Sequence, residues 1–127
     1  MFAGTYAGID VFRRCIDRTD HGSTTGQHEI DDITITLDHD DTHHVNPPTI
    51  GCELTARTEG TRLQFRPQSC ASGHDEQSEI QGTAQFDDEG LLELHLTSVE
   101  FWPPSPTFWP DGLWWDCRHD YLLDPVE

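Results

Sequence analysis

The chain contains no lysine: all seven basic residues are arginine, set against 24 aspartates and glutamates for a formal net charge of −17. Binding DNA or RNA electrostatically takes clustered basic side chains that displace condensed counterions, so this composition excludes a nucleic-acid partner. Anionic lipid surfaces are disfavoured on the same ground. No stretch reaches the roughly 18 consecutive apolar residues of a membrane-spanning helix. The opening Met1-Phe2-Ala3-Gly4-Thr5 has neither the basic start nor the apolar run of a secretory signal, so export is expected to concern a mature chain. No window carries a helical apolar stripe, and no internal repeat or second domain is visible.

Catalytic signatures are absent too. There is no His-Glu-x-x-His pair, no serine in a glycine-flanked elbow and no glycine-rich phosphate loop. With 24 acids, any pair of carboxylates is uninformative. The expectation is a protein that is not an enzyme. The acidity reads first as a solubilising surface, and second as carboxylates gathered into cation sites.

The four cysteines, Cys15, Cys52, Cys70 and Cys117, include no C-x-x-C pair. An even number, widely spread in a short chain, reads as two disulfides and an oxidising, extracytoplasmic setting. Hydrophobic residues make up only 34% of the chain, so its aromatic side chains must fill much of the core.

Period-two alternation is the dominant pattern. Leu54 and Ala56 share a parity, as do Leu63 and Phe65 across Glu59-Gly60. A two-residue turn there pairs Ala56 with Leu63 and Leu54 with Phe65. Extending the ladder puts Cys52 opposite Pro67, which is expected to end the pairing and let Cys70 bend back to Cys52. Elimination leaves Cys15–Cys117, tying the first strand to the last. In a second hairpin, the loop Asp88-Glu89-Gly90 pairs Phe86 with Leu92, Ala84 with Leu94 and Gly82 with Leu96. Tyr6 to Ile16, Ile33 to Leu37 and Leu113 to Leu123 complete the strands. The fold class that follows is all-β: a small antiparallel barrel or sandwich of about 7–8 strands with two disulfides, forming one domain over residues 1–127.

The opening Gly4-Thr5-Tyr6-Ala7-Gly8, the strand Ile33-Thr34-Ile35-Thr36-Leu37 and the cysteines in the first and last strands resemble the mature domains of small bacterial lipoproteins and secreted proteins with lipocalin-like β-barrels. The resemblance implies a barrel and an extracytoplasmic location. The glycine-x-tryptophan opening of true lipocalins is missing, and no functional residue carries over.

Two segments could hold chemistry. Asp38-His39-Asp40-Asp41-Thr42-His43-His44 concentrates carboxylates, which suit calcium, and imidazoles, which suit zinc; Asp38, Asp40, His43 and His44 are the candidate ligands. It is not an EF-hand, since the sixth and twelfth positions counted from Asp38 are His43 and Thr49. As a solvated hairpin loop it needs no ion, and no cofactor is expected. The other segment, over 101–112, is rich in aromatics and proline. It includes Trp102, Phe108 and Trp109 and adjoins Trp114 and Trp115. Its rings either plug a barrel end or form a platform for a carbohydrate, a peptide or a protein partner. Trp114 and Trp115, as strand neighbours, should face opposite ways. The histidines are expected mostly at the surface, with His119 on the same face as Cys117. The functional expectation is a non-catalytic extracytoplasmic binding or structural module. Carbohydrate or peptide binding through the Trp/Pro-rich loop is the alternative, and divalent-cation binding the next.

Overall fold

The computed structural model describes residues 2–18, 23–27, 32–72, 75–102, 104 and 112–126. These residues form nine strands and no helix: β1 (Gly4–Asp17), β2 (Ser23–Gln27), β3 (Ile33–Leu37), β4 (His43–Val45), β5 (Leu54–Glu59), β6 (Arg62–Ser72), β7 (Asp75–Phe86), β8 (Leu92–Trp102) and β9 (Leu113–Val126). Strands β3 to β9 follow one another as an antiparallel meander, and β1 pairs with both β3 and β9. Eight strands therefore close into a barrel, which removes the unpaired edges an open sheet would expose. The ninth, β2, pairs with Phe12–Ile16 of β1, above the place where Gly4–Tyr6 pair with β3. A register irregularity between Gly8 and Asp10 bends β1 between these two partners.

The expected hairpin across Asp88-Glu89-Gly90 is present in the expected register, with Phe86 opposite Leu92, Ala84 opposite Leu94 and Gly82 opposite Leu96. Asp87 fixes its loop: Oδ1 accepts the amide N–H of Glu89 at 2.8 Å and of Leu91 at 2.9 Å. Gly90 takes the left-handed φ of 81° that the loop requires. At Gly82 the backbones approach so closely that a Cβ would lie 1.9 Å from the His95 carbonyl oxygen.

The β5–β6 hairpin differs from its expectation. Glu59 pairs with Arg62 and Thr58 with Leu63, so the turn is Gly60-Thr61 rather than Glu59-Gly60. Gly60, at the first central position, has φ 63°, the backbone that only glycine adopts freely in a type II′ turn. Moving the turn by one residue shifts the pairing by two and leaves every side chain on its expected face. Pro67 does not end the strand either. Strand β6 runs on to Ser72, and the proline sits in an irregular stretch between Phe65 and Gln68, where its missing N–H breaks no ladder bond.

Both disulfides join the expected partners. Cys15 lies directly across from Cys117 with Cα atoms 4.0 Å apart, and Cys52 meets Cys70 at 6.5 Å. The main core contains Phe2, Tyr6, Val11, Ile33, Ile35, Leu54, Leu63, Phe65, Ile80, Leu92, Leu94, Leu96, Tyr121 and Leu123. Each such fully buried side chain contributes roughly 1.5–3 kcal/mol by leaving water. Phe2 closes the lower end, stacked on Phe86 at 5.5 Å. At the upper end, the turn Pro47-Pro48-Thr49-Ile50 buries Ile50, and Cys52–Cys70 staples the following residues to β6.

Candidate functional site: the polar end of the barrel

Three adjacent strands change character along one face. On β8 the inward row begins Leu92, Leu94, Leu96 and continues Ser98, Glu100, Trp102. On β9 it runs from Leu123 and Tyr121 to His119, Cys117 and Trp115. On β1 it passes from Val11 to Arg13, Cys15 and Asp17. The pairing aligns these rows: Leu96, His119 and Arg13 share one level, Ser98, Cys117 and Cys15 the next, and Glu100, Trp115 and Asp17 the one above. The lower barrel is thus apolar and the upper barrel polar.

Arg13 donates to Glu100 at 2.5 Å, forming an ion pair whose carboxylate is almost wholly buried. The indole N–H of Trp102 donates to the other carboxylate oxygen at 2.8 Å, and its ring lies 4.9 Å from that of Trp115. Gln77 of β7 stands opposite Glu100 and is also buried. Below this layer His119, with no exposed surface, joins Ser98 Oγ through Nε2 at 3.0 Å and Thr49 Oγ1 through Nδ1 at 2.8 Å. Thr49 also bonds the Tyr121 hydroxyl, whose pKa is pushed up by burial. In a neutral imidazole one nitrogen donates and the other accepts, so the tautomer of His119 would set the direction of the whole chain of groups.

The upper layer is not fully satisfied. Gln77 Oε1, Trp115 Nε1 and Arg13 Nε are buried and make no hydrogen bond to any described group. Leaving a polar atom buried without a partner costs about 1–3 kcal/mol, so a layer kept only for stability would be expected to be apolar. Glu100 also lies beside the bridge: its carboxylate and the sulfurs of Cys15 and Cys117 fall within 4.8 Å of one another. Both sulfurs are spent in the disulfide, so no thiolate remains to bind a metal there.

The residues nominated from sequence separate. Trp102 ends β8 and Trp115 faces inward, so both belong to the polar end. Trp114 faces out, 43% exposed and packed 4.6 Å from Phe101, the opposite facing that strand geometry required. Phe108 and Trp109 lie outside the described residues. In the acidic loop, Asp38 and His44 come together while His43 points the other way. His44 Nε2 meets Asp38 Oδ2 at 3.0 Å and Nδ1 meets Glu53 Oε1 at 2.6 Å, so both ring nitrogens face carboxylates. His43 sits inside the barrel, edge-on to Phe2, and desolvation pushes its pKa down. Asp38 Oδ1 accepts the amides of Asp40 and Thr42, and its contact with His44 together with these bonds holds its pKa down at about 2. The Asp40 carboxylate is solvent-exposed, 3.5 Å from His39.

Sequence reasoning alone does not single out Arg13, Gln77, Ser98, Glu100 and His119 as a site. The signal was present: on β8 and β9 the buried parity continues unbroken into polar residues.

The fold and site define the class: a closed, disulfide-stapled antiparallel barrel with a buried polar end. Comparison of the chain with family models, curated proteins and solved structures finds no match.

Proposed function

We propose that the chain is a non-catalytic extracytoplasmic binding barrel that takes a small, neutral, hydroxyl-rich ring, such as a mono- or disaccharide, at its polar end. What carries the proposal is three buried atoms without a hydrogen-bond partner among the described residues, Gln77 Oε1, Trp115 Nε1 and Arg13 Nε. One acceptor and two donors beside two indole rings suit a ligand bearing both hydroxyls and apolar ring faces. The Arg13–Glu100 pair balances its own charge, and the buried Asp17 at the level of Glu100 adds a carboxylate, which favours a neutral guest over an anion. The two disulfides support a life outside the reducing cytoplasm, and no helix among the described residues is long and apolar enough to cross a membrane.

The test is a tryptophan-fluorescence titration with a panel of mono- and disaccharides, repeated on Gln77→Leu. The expected result is a saturable change for a subset of sugars in the parent that is lost in the variant. No response across the panel, or an unchanged response in the variant, contradicts the proposal.

A second reading rests on one observation, the exposed Trp114 on the outer wall. It pairs with Phe101, and the same outward row continues to Val99 and Asp116, which line a groove of about 510 Å³ with Arg14, Arg18 and Glu79. That surface suits a peptide or sugar docked from outside the barrel.

A further inference from the structure

In so acidic a protein, an arginine without a carboxylate partner is unexpected, and three of them stand together. Of the four arginines that form no ion pair with a described residue, Arg14 stands apart on β1 while Arg57, Arg62 and Arg66 are all exposed on the β5–β6 hairpin; Arg13, Arg18 and Arg118 are each paired. Arg57 and Arg66 line a groove of about 440 Å³ with Thr42, Thr55, Thr58, Gln64 and Glu59, so a single carboxylate stands among hydroxyls, an amide and two guanidinium groups.

The groove follows from the local pairing. Strands β5 and β6 are in register only from Arg57–Gln64 to Glu59–Arg62. Further along, the Gln68 side chain replaces the β6 backbone, accepting the Thr55 N–H and donating to the Thr55 carbonyl, each at 2.9 Å. On its other edge, Ala56 pairs with His43, which brings the neighbouring Thr42 alongside Arg57. Two strands held apart by a side-chain amide leave their outward polar groups around one depression.

We infer that this groove binds a small ligand through a tetrahedral oxyanion, a phosphate or sulfate ester. Guanidinium groups form strong charge-assisted bonds to such oxygens. A planar carboxylate is satisfied by one guanidinium fork, whereas two guanidiniums with threonine hydroxyls offer donors for three terminal oxygens. A long polyanion is disfavoured, because it would run on over a surface of net charge −17. A small anion is held inside the local positive field, since charges farther than about 8 Å are screened at physiological salt. The volume falls within the roughly 300–1,000 Å³ of small-molecule sites. The site is independent of the polar end: it lies on the outer wall, beside the Gly60-Thr61 turn at the opposite end of the barrel.

Titration of the folded, ¹⁵N-labelled protein in 0.15 M NaCl tests this, using inorganic phosphate, galactose 6-phosphate, galactose 6-sulfate and galacturonate as probes. The expected result is saturable shifts confined to Thr42, Thr55, Arg57, Thr58, Gln64 and Arg66. The tighter of the two esters then identifies the source of the oxyanion. Arg57→Ala and Arg66→Ala should each weaken binding about tenfold or more while leaving the dispersed spectrum otherwise intact. Arg57→Lys, which keeps charge but not the fork, should recover part of the loss. Shifts spread equally over Arg14 and Arg118 would mean unspecific ion pairing and overturn the inference, as would galacturonate binding as tightly as the esters or no saturable shift at all.

Discussion

Arg13, one level below the Cys15–Cys117 bridge, and Glu100, one level above it, meet at 2.5 Å inside the barrel wall. Removing one member strands the other, so Arg13→Met or Glu100→Leu alone should cost about 3 kcal/mol, near the low end for buried pairs because Arg13 keeps some contact with solvent. Replacing both should recover most of that loss, since an apolar pair of similar volume needs no partner. Urea unfolding of the two single variants and the double variant measures the coupling. Additive effects would show that the pair contributes little.

The two bridges should differ in worth. Cys15–Cys117 spans 102 residues and Cys52–Cys70 spans 18. Chain-entropy reasoning assigns about 4–5 kcal/mol to the first and about 3 to the second. Thermal melts of the paired serine variants should therefore show the larger drop for Cys15→Ser/Cys117→Ser. The reverse order would mean that the short staple, by fixing the Pro47–Ile50 turn, does more than restrict the unfolded chain.

The Asp38–His44 contact gives stability a defined pH window. Asp38 is held down at about 2, so its contribution is complete above the ordinary carboxylate value of 3.8 and is lost as pH falls through about 2. The hydrogen bond to Asp38, aided by Glu53, raises the pKa of His44, so its contribution is complete below the ordinary 6.5 and fades as pH rises through the raised value. The pair should therefore stabilise most between about pH 4 and 6.5. Melting profiles of the parent and His44→Asn should converge above neutrality and separate within that window. A constant offset at all pH would place the effect in packing rather than charge.

Neighbouring tryptophans should respond in opposite ways. Trp115 is buried against Trp102 and the long bridge, so Trp115→Ala should cost about 3–5 kcal/mol. Trp114 is exposed and gives up chiefly its contact with Phe101, so Trp114→Ala should cost about 1 kcal/mol or less. Iodide quenching should fall in Trp114→Ala, because the accessible ring has gone.

Much of this fold is legible in the residues because a barrel repeats one rule, the alternation of inward and outward side chains. The β7–β8 hairpin is read in register since Gly90 fixes the turn and Gly82 needs a position of close approach. The β5–β6 turn is placed one residue early because both placements keep Leu54, Ala56, Leu63 and Phe65 on the inner face, so parity does not separate them. Strand β2, with Ser23-Thr24-Thr25-Gly26-Gln27, offers no apolar alternation. Strand β4 is hidden among loop-forming acids, and His43, read there as a possible metal ligand, is a buried neighbour of Phe2. The polar end escapes nomination for a different reason. Its residues lie on four strands, and each alone reads as an ordinary polar strand residue.

Whether the polar end is retained for a ligand rather than for the fold is read most directly from the unfolding free energy of Gln77→Leu. The variant should be as stable as the parent or up to about 2 kcal/mol more stable, because a buried acceptor with no partner among the described residues is removed. A loss of more than about 1 kcal/mol would show that Gln77 already serves the fold, and would contradict the assignment of the polar end as a binding site.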